Sequence, residues 1–289
     1  MDIKKSILIF CEGPHDVAFM RRIFIDLIAA SEFTGKFIDL PAPFQQIFQT
    51  AIEKHAELDL SLDMAHKFFL PDKILTKDDK YIILFNAGGN ERCNRIKPFI
   101  QRLWDFTAAA ETFPGNASSI IKEHKYIFIS DADYKNHNQA LSEISNNFSQ
   151  IDDTQWIGEE WVKVENTFIA TNEIQEHVAA FVWCSRDSGN GTLEDVLLEC
   201  LHDNDDFTRA NEIIRELHDW EIEHLDLERK IAEIARMYKA TISLMGQRKK
   251  PGSSMSVIVG QSRIINQDNL VKSRTVNDLV RFINKFCFE

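Results

Sequence analysis

The sequence predicts an α/β fold: a Rossmannoid parallel sheet flanked by helices. Three observations support this. Four short apolar runs, at 7–11 (ILIFC), 81–85 (YIILF), 126–129 (YIFI) and 178–184 (VAAFVWC), are too brief for helices and rich in strand formers. Stretches with helical apolar spacing come after the runs, as a doubly wound sheet requires. Carboxylates stand where two of the runs end, at Glu12 and at Asp131-Ala132-Asp133. Ligands of open α/β sheets bind at that edge.

The first run stops at Glu12-Gly13-Pro14, and a helix is predicted from about His15, with Val17, Met20, Ile23, Phe24 and Leu27 on its apolar side. Asp16 lies in the first turn, where an acid is an ordinary cap. Residues 33–80 exceed what a simple crossover needs and contain Pro41, Pro43 and Pro71. They are read as a helical insertion, with helical spacing over 44–58 and a second helix over 60–69. It serves as a partner surface, a lid or a packing element. The second run ends in Asn86-Ala87-Gly88-Gly89-Asn90, before a helix over 91–110. Gly88 and Gly89 either let phosphate approach backbone N–H groups or simply form a turn. Arg92, Arg95 and Lys97 then either contact phosphate or form a solvated helix face.

The third run carries the aspartates. Asp131 and Asp133 point the same way if the chain stays extended. Two carboxylates so placed repel unless a cation lies between them, and Mg²⁺ favours such carboxylates plus water and phosphate oxygens. A polar helix over 137–148 and an acidic loop over 151–160 come next, with a further strand within 162–170. After the fourth run, Thr192 caps a helix through Leu193, Val196, Leu197 and Cys200. Glu194 and Asp195 occupy its first turn, where the helix dipole favours acids. Glu194 is read equally as a metal ligand or a dipole partner, and Asp195 as structural. From 207 to 238 the chain is helical and charged, read as one long helix or as a helical pair with a break near 223–226. The loop Gln247-Arg248-Lys249-Lys250-Pro251 is the most basic in the chain. Either it contacts phosphate or it is a solvated turn. Residues 276–286 close with an apolar helix. The division expected is an α/β domain over 1–205 and a helical region over 206–289 packed on it.

The 289 residues carry a net charge of −12. That is awkward for a nucleic-acid enzyme, whose affinity rests on Lys and Arg contacts with phosphate. Bound metal, lysines gathered on one face or a basic partner would each resolve the difficulty. Five scattered cysteines without a Cys-x-x-Cys pair argue against a zinc site or a disulfide framework. No apolar run reaches the 18 or so residues of a membrane span. The N-terminal run is too short for a signal peptide. The expected location is therefore cytoplasmic. There is no phosphate-binding Gly-Lys-Ser/Thr loop, no Gly-x-Ser-x-Gly elbow and no His-Glu-x-x-His, and the histidines show no ligand spacing.

Glu12-Gly13, Asp16, Phe19 and Asp131-x-Asp133, in this order and at strand ends, resemble the Toprim signature of topoisomerases, bacterial primases, recombination proteins and overcoming-lysogenization-defect nucleases. The spacing Glu-Gly-x-x-Asp-x-x-Phe most resembles the nuclease-type and standalone members. Residues 191–195 (GTLED) are similar to a segment of a standalone Toprim family. The resemblance spans about residues 5–202. It implies a Mg²⁺- or Mn²⁺-dependent nuclease acting on DNA or RNA, with Glu12, Asp131 and Asp133 catalytic and one or two ions held by them, Asp16 and Glu194. It also implies an assisting lysine, for which Lys239 and Lys249 are the candidates, and phosphate contacts from Gly88, Gly89, Arg92, Arg248 and Lys250. Standalone Toprim proteins resemble effectors of anti-phage defence that work with an ATPase, here a separate polypeptide; a homo-oligomer is the other assembly expected. Two other functions compete: a regulatory module that binds metal or nucleic acid without cutting, and a phosphatase-like enzyme. The phosphatase class that uses Asp-x-Asp usually places it after its first strand, where this chain has Glu12.

Overall fold

The computed structural model describes residues 5–56, 69–88, 92–112, 120–164, 169–218 and 222–289. In chain order the strands are β1 (Lys5–Cys11), β2 (Ser31–Glu32), β3 (Lys73–Lys77), β4 (Lys80–Asn86), β5 (Glu123–Asp131), β6 (Gln150–Ile151), β7 (Thr154–Gln155), β8 (Trp161–Lys163), β9 (Ile169–Asn172) and β10 (Val178–Trp183). The helices are α1 (Pro14–Asp26), α2 (Phe44–Ala56), α3 (Arg92–Thr112), α4 (His137–Phe148), α5 (Leu193–Leu201), α6 (Asp205–His218), α7 (Leu227–Gln247), α8 (Met255–Gln261), α9 (Gln267–Leu270) and α10 (Arg274–Ile283).

Eight strands form one sheet in the order β2-β3-β4-β1-β5-β10-β9-β8, and β6 pairs with β7 apart from it. The centre, β4-β1-β5-β10, is parallel, while the edge strands pair antiparallel. The four apolar runs are these four central strands. Buried on both faces, they read as unbroken apolar stretches. The register sets Cys11 beside Asn86 and Trp183 beside Asp131, so the four strand ends form one edge.

Alternation divides the core. Ile7, Ile9, Ile127, Ile129, Phe181 and Trp183 face α1, α5, α8 and α10. Leu8, Phe10, Phe128 and Val182 face α2, α3 and α4. Residues 206–289 share the first of these cores through Ile242, Ile258, Val276 and Leu279. The fold is thus α/β, a mixed and mostly parallel sheet between helical layers, with a helical C-terminal region. Residues 33–80 hold α2 as expected and also β3, a largely polar strand one in from the sheet's edge, between β2 and β4. The expected second helix of this stretch lies largely outside the described residues. No helix among the described residues is long and apolar enough to cross a membrane.

Candidate functional site

The parallel strands end together, and the segment after each end shapes the site. After β1 the chain passes Glu12 and turns at Gly13 into α1, whose first residue is Pro14. Asp16 reaches back to accept the Gly13 N–H at 2.8 Å. Its other oxygen accepts Trp183 Nε1 at 2.8 Å from the end of β10. Asp16 therefore ties α1 to β10.

At the end of β5, Asp131 Oδ1 accepts the Leu193 N–H at the start of α5, at 2.8 Å. The Asp131 N–H donates to Glu12 Oε2 at 3.2 Å. Alternation places Asp131 on the α1/α5 side of the sheet and Glu12 on the α3/α4 side, beside Ser130. There Arg92 Nη1 donates to Ser130 Oγ at 2.7 Å and stands 3.9 Å from Glu12 Oε2. Among the described residues, Glu12 Oε1 and Asp131 Oδ2 accept no hydrogen bond from the protein.

Asp133 departs from expectation. The chain is not extended there: its φ is +52°, and its N–H and C=O both pair with Gly191 at 2.8 Å. That two-bond bridge turns the chain after Ala132, so the two aspartates do not follow strand alternation. Both nevertheless border the same two depressions. Gly191 is confined in turn: its φ is +119°, and a Cβ there would lie 2.4 Å from Asp195 Oδ2.

Thr192 begins α5. Its N–H donates to Asp195 Oδ2 at 2.8 Å, so Asp195 is the capping acid. Glu194, fully buried, is left to accept the Thr192 hydroxyl at 2.8 Å and to face Lys239 of α7, whose Nζ is 3.6 Å away. Lys239 therefore reaches the acids. Lys249 does not: it lies beyond the end of α7 at Gln247, and the helix from Lys239 to that end already spans about 12 Å. Arg248 pairs instead with Asp206 at 3.7 Å, and Lys250 lies in the adjacent turn. None of these three borders either depression. Gly88 has a φ of +77° and a Cβ there would meet the Arg95 guanidinium at 2.8 Å, so the glycine leaves room for a cation. Gly89 lies outside the described residues.

The two depressions flank Asp131 and Asp133. One, of about 490 Å³, also includes Glu12, Arg92, Ser130, Lys135 and Glu143. The other, of about 360 Å³, runs under α7 past Tyr134, Thr192, Arg236 and Lys239. A larger one, about 730 Å³, opens at the opposite edge, where the strands begin. Two of its lysines are already engaged: Lys5 pairs with Glu123 at 2.7 Å, and Lys125 donates to the Phe286 carbonyl.

Electrostatics bind the acids into one group. Burial pushes Asp16 up to about 7, assisted by the charges of Glu12 and Glu194. Burial also holds Asp131 well above the usual carboxylate range, with Asp16, Glu12 and Glu194 adding to it. Asp133 is raised chiefly by burial, against Lys135 and Lys239, which lower it. A desolvated carboxylate among like charges resists ionisation, and a cation would relieve it. The donors are carboxylate oxygens, the chemistry that Mg²⁺ and Mn²⁺ take. In arrangement the acids are separate: among the described residues no three acidic, imidazole or thiol groups stand together as a metal-binding set. Glu12, Asp16, Asp131 and Glu194 are each held by a protein donor of their own.

Several residues of the site were not singled out by sequence. His15 sits in the first turn of α1, its pKa lowered by burial and influenced by Glu194 and Lys239. Ser130 shares the strand of Asp131, and its place on the Glu12 side could have been found from alternation alone. Tyr134 and Lys135 have no such signal, and Arg236 has none either, since α7, which carries it, meets the strand ends only in three dimensions.

No family model matches the chain, and no curated protein matches it. A solved structure of a hypothetical protein from Pyrococcus horikoshii OT3 aligns with 98% of this chain and 95% of its own, at 13% identity and a TM-score of 0.44. At that score the likeness bears neither on fold nor on function.

Proposed function

We propose that this chain is a Toprim-type phosphodiesterase that hydrolyses nucleic-acid backbones with the help of Mg²⁺ or Mn²⁺. The observation that carries the reading is that Glu12, Asp16, Asp131 and Glu194 all stand at the C-terminal edge of the parallel sheet, apart from one another yet within reach of each other's charge, with Arg92 beside Glu12 and Lys239 beside Glu194. Carboxylates whose ionisation is opposed by burial and by one another's charge are a recognised mark of a functional site.

Glu12 and Asp131 are the principal candidates to hold an ion, each retaining an oxygen without a protein partner among the described residues. Asp133 is a candidate for a second, and so is Glu194 if the ion displaces the Thr192 hydroxyl and Lys239 that now engage its two oxygens. When bound, the ion would supply charge stabilisation to the attacking and departing oxygens. Asp16 is assigned a positioning role, because both its oxygens are engaged by Gly13 and Trp183. Lys239 is preferred to Lys249 as the assisting cation, and Arg92 is placed to meet a phosphate beside Glu12. Both cations stabilise charge that develops in the transition state. An anti-phage role with a separate ATPase belongs to the same reading and rests on the resemblance of the motifs alone.

The test is cleavage of labelled DNA and RNA with Mg²⁺ or Mn²⁺ by the wild type, Glu12→Gln and Asp131→Asn. The expectation is cutting that depends on the metal and falls by roughly 100-fold or more in either variant while both melt cooperatively; the drop is about that of losing a positioned catalytic group. Undiminished cutting by the variants would remove these residues from the mechanism. Release of phosphate from small monoesters, with polynucleotides left intact, would favour the phosphatase instead.

A further inference from the structure

We infer that the site accepts a single strand or an unpaired end, with a base stacked on Tyr134; the inference rests on the phosphodiesterase reading and names its substrate class. Tyr134 directly follows Asp133 and borders the 360 Å³ depression with Asp131, Asp133, Arg236 and Lys239. Its side chain is 43% exposed, an unusual state for a large ring in a chain that buries most of its aromatics. Among the described residues it is the only aromatic bordering either depression. Lys135 Nζ lies 5.6 Å from its ring centre.

The charge balance points the same way. A duplex is held chiefly by many Lys and Arg contacts along its phosphates. Here the cations near the acids are few, and they have acidic neighbours. Lys135 pairs with Glu143 at 2.5 Å, Arg236 with Glu233, and Lys239 with Glu194. On a chain of net charge −12 they make a poor duplex track. A contact that does not depend on charge would add affinity beyond what bound metal supplies. Stacking a base on an exposed ring is such a contact, and it tolerates any sequence because every base has a π-face. A paired base inside a duplex has no free face to offer, so a stacking platform beside the reacting phosphate favours single strands, frayed ends or flaps. Arg236 shares the depression with Tyr134 and Lys135 adjoins the ring; two cations suffice for the phosphates beside one stacked base, where a duplex needs many.

The experiment is fluorescence anisotropy with the full chain, a labelled single-stranded oligonucleotide and a blunt duplex of the same sequence, in Ca²⁺. The wild type, Tyr134→Ala and Tyr134→Phe are compared, with melts confirming that each is folded. The wild type should bind the single strand more tightly than the duplex. Tyr134→Ala should lose roughly 5- to 150-fold in single-strand affinity, the usual range for one stacked base, and Tyr134→Phe should keep it. Equal single-strand affinity in wild type and Tyr134→Ala, or wild-type preference for the duplex, overturns the inference. Cutting in Mg²⁺ or Mn²⁺ is scored separately. A wild type that binds through Tyr134 but cuts nothing overturns the phosphodiesterase and keeps the stacking site. One that cuts but is indifferent to Tyr134 does the reverse.

Discussion

Asp16 should titrate near neutrality, and Trp183 provides the means to observe it. The carboxyl is pushed from 3.8 to about 7 by burial, with Glu12 and Glu194 adding to the shift. A carboxyl raised in the folded state stabilises fully below its unfolded value. That contribution is then lost as pH climbs from about 4 to about 7. About three units correspond to about 4 kcal/mol. A bulk pH–stability curve would conceal it, because His124 works in the opposite sense. Burial lowers His124 to about 4; its contribution is present above about 6.5 and is lost as pH falls toward about 4, by about 3 kcal/mol. The two nearly cancel over much of their range. Trp183 Nε1 donates directly to Asp16, so its indole N–H resonance reports this one carboxyl. With five tryptophans, a Trp183→Phe spectrum assigns the peak. In a chelator the resonance should titrate with a midpoint near 7. Glu12→Gln and Glu194→Gln should each move that midpoint to lower pH, and so should Mg²⁺, since a cation favours the ionised form. A midpoint at the ordinary carboxylate value, or one indifferent to both substitutions, would refute the electrostatic coupling.

The same geometry fixes three further outcomes. Gly191→Ala must place a Cβ against Asp195 at a positive φ, and urea unfolding should register a loss of about 1–3 kcal/mol. Lys239→Met should slow cleavage by roughly 10- to 1,000-fold, whereas Lys249→Met should leave the rate almost unchanged. Equal effects would deny Lys239 its role. Trp183→Phe leaves a buried Asp16 oxygen without its donor, and thermal or urea unfolding in mildly alkaline buffer should show a loss of about 1–3 kcal/mol; no loss would mean the hydrogen bond contributes nothing net.

The four central strands were legible because parallel strands buried on both faces must be apolar throughout. Of the two readings open for residues 207–238, one long helix or a helical pair, the structure shows the pair, with α7 starting at Leu227 behind its cap Asp226. Strand β3 (KILTK) was not legible, since a largely polar strand near the edge lacks the apolar signature and its place is set by pairing with β2 and β4. Glu12 and Asp131 were readable at the ends of their strands. The orientation of Asp133 was not, because it depends on the bridge to Gly191, far along the chain. The choice between Lys239 and Lys249 likewise waited on the direction of α7. His15 looked like any histidine at a helix start until Glu194 and Lys239 were seen to adjoin it. Chemistry carried by strand ends is visible in one dimension; chemistry completed by a helix crossing over them is not.

Whether the acids at the sheet edge form a divalent-cation site is tested most directly by melting the protein with and without Mn²⁺. The wild type and the Glu12→Gln/Asp131→Asn double variant are compared. A ligand that binds only the folded state raises the melting temperature. A rise is expected for the wild type alone, together with a double variant that is more stable than wild type without metal because two repelling charges are gone. Equal rises in both proteins, or no rise in either at millimolar Mn²⁺, would contradict the metal site.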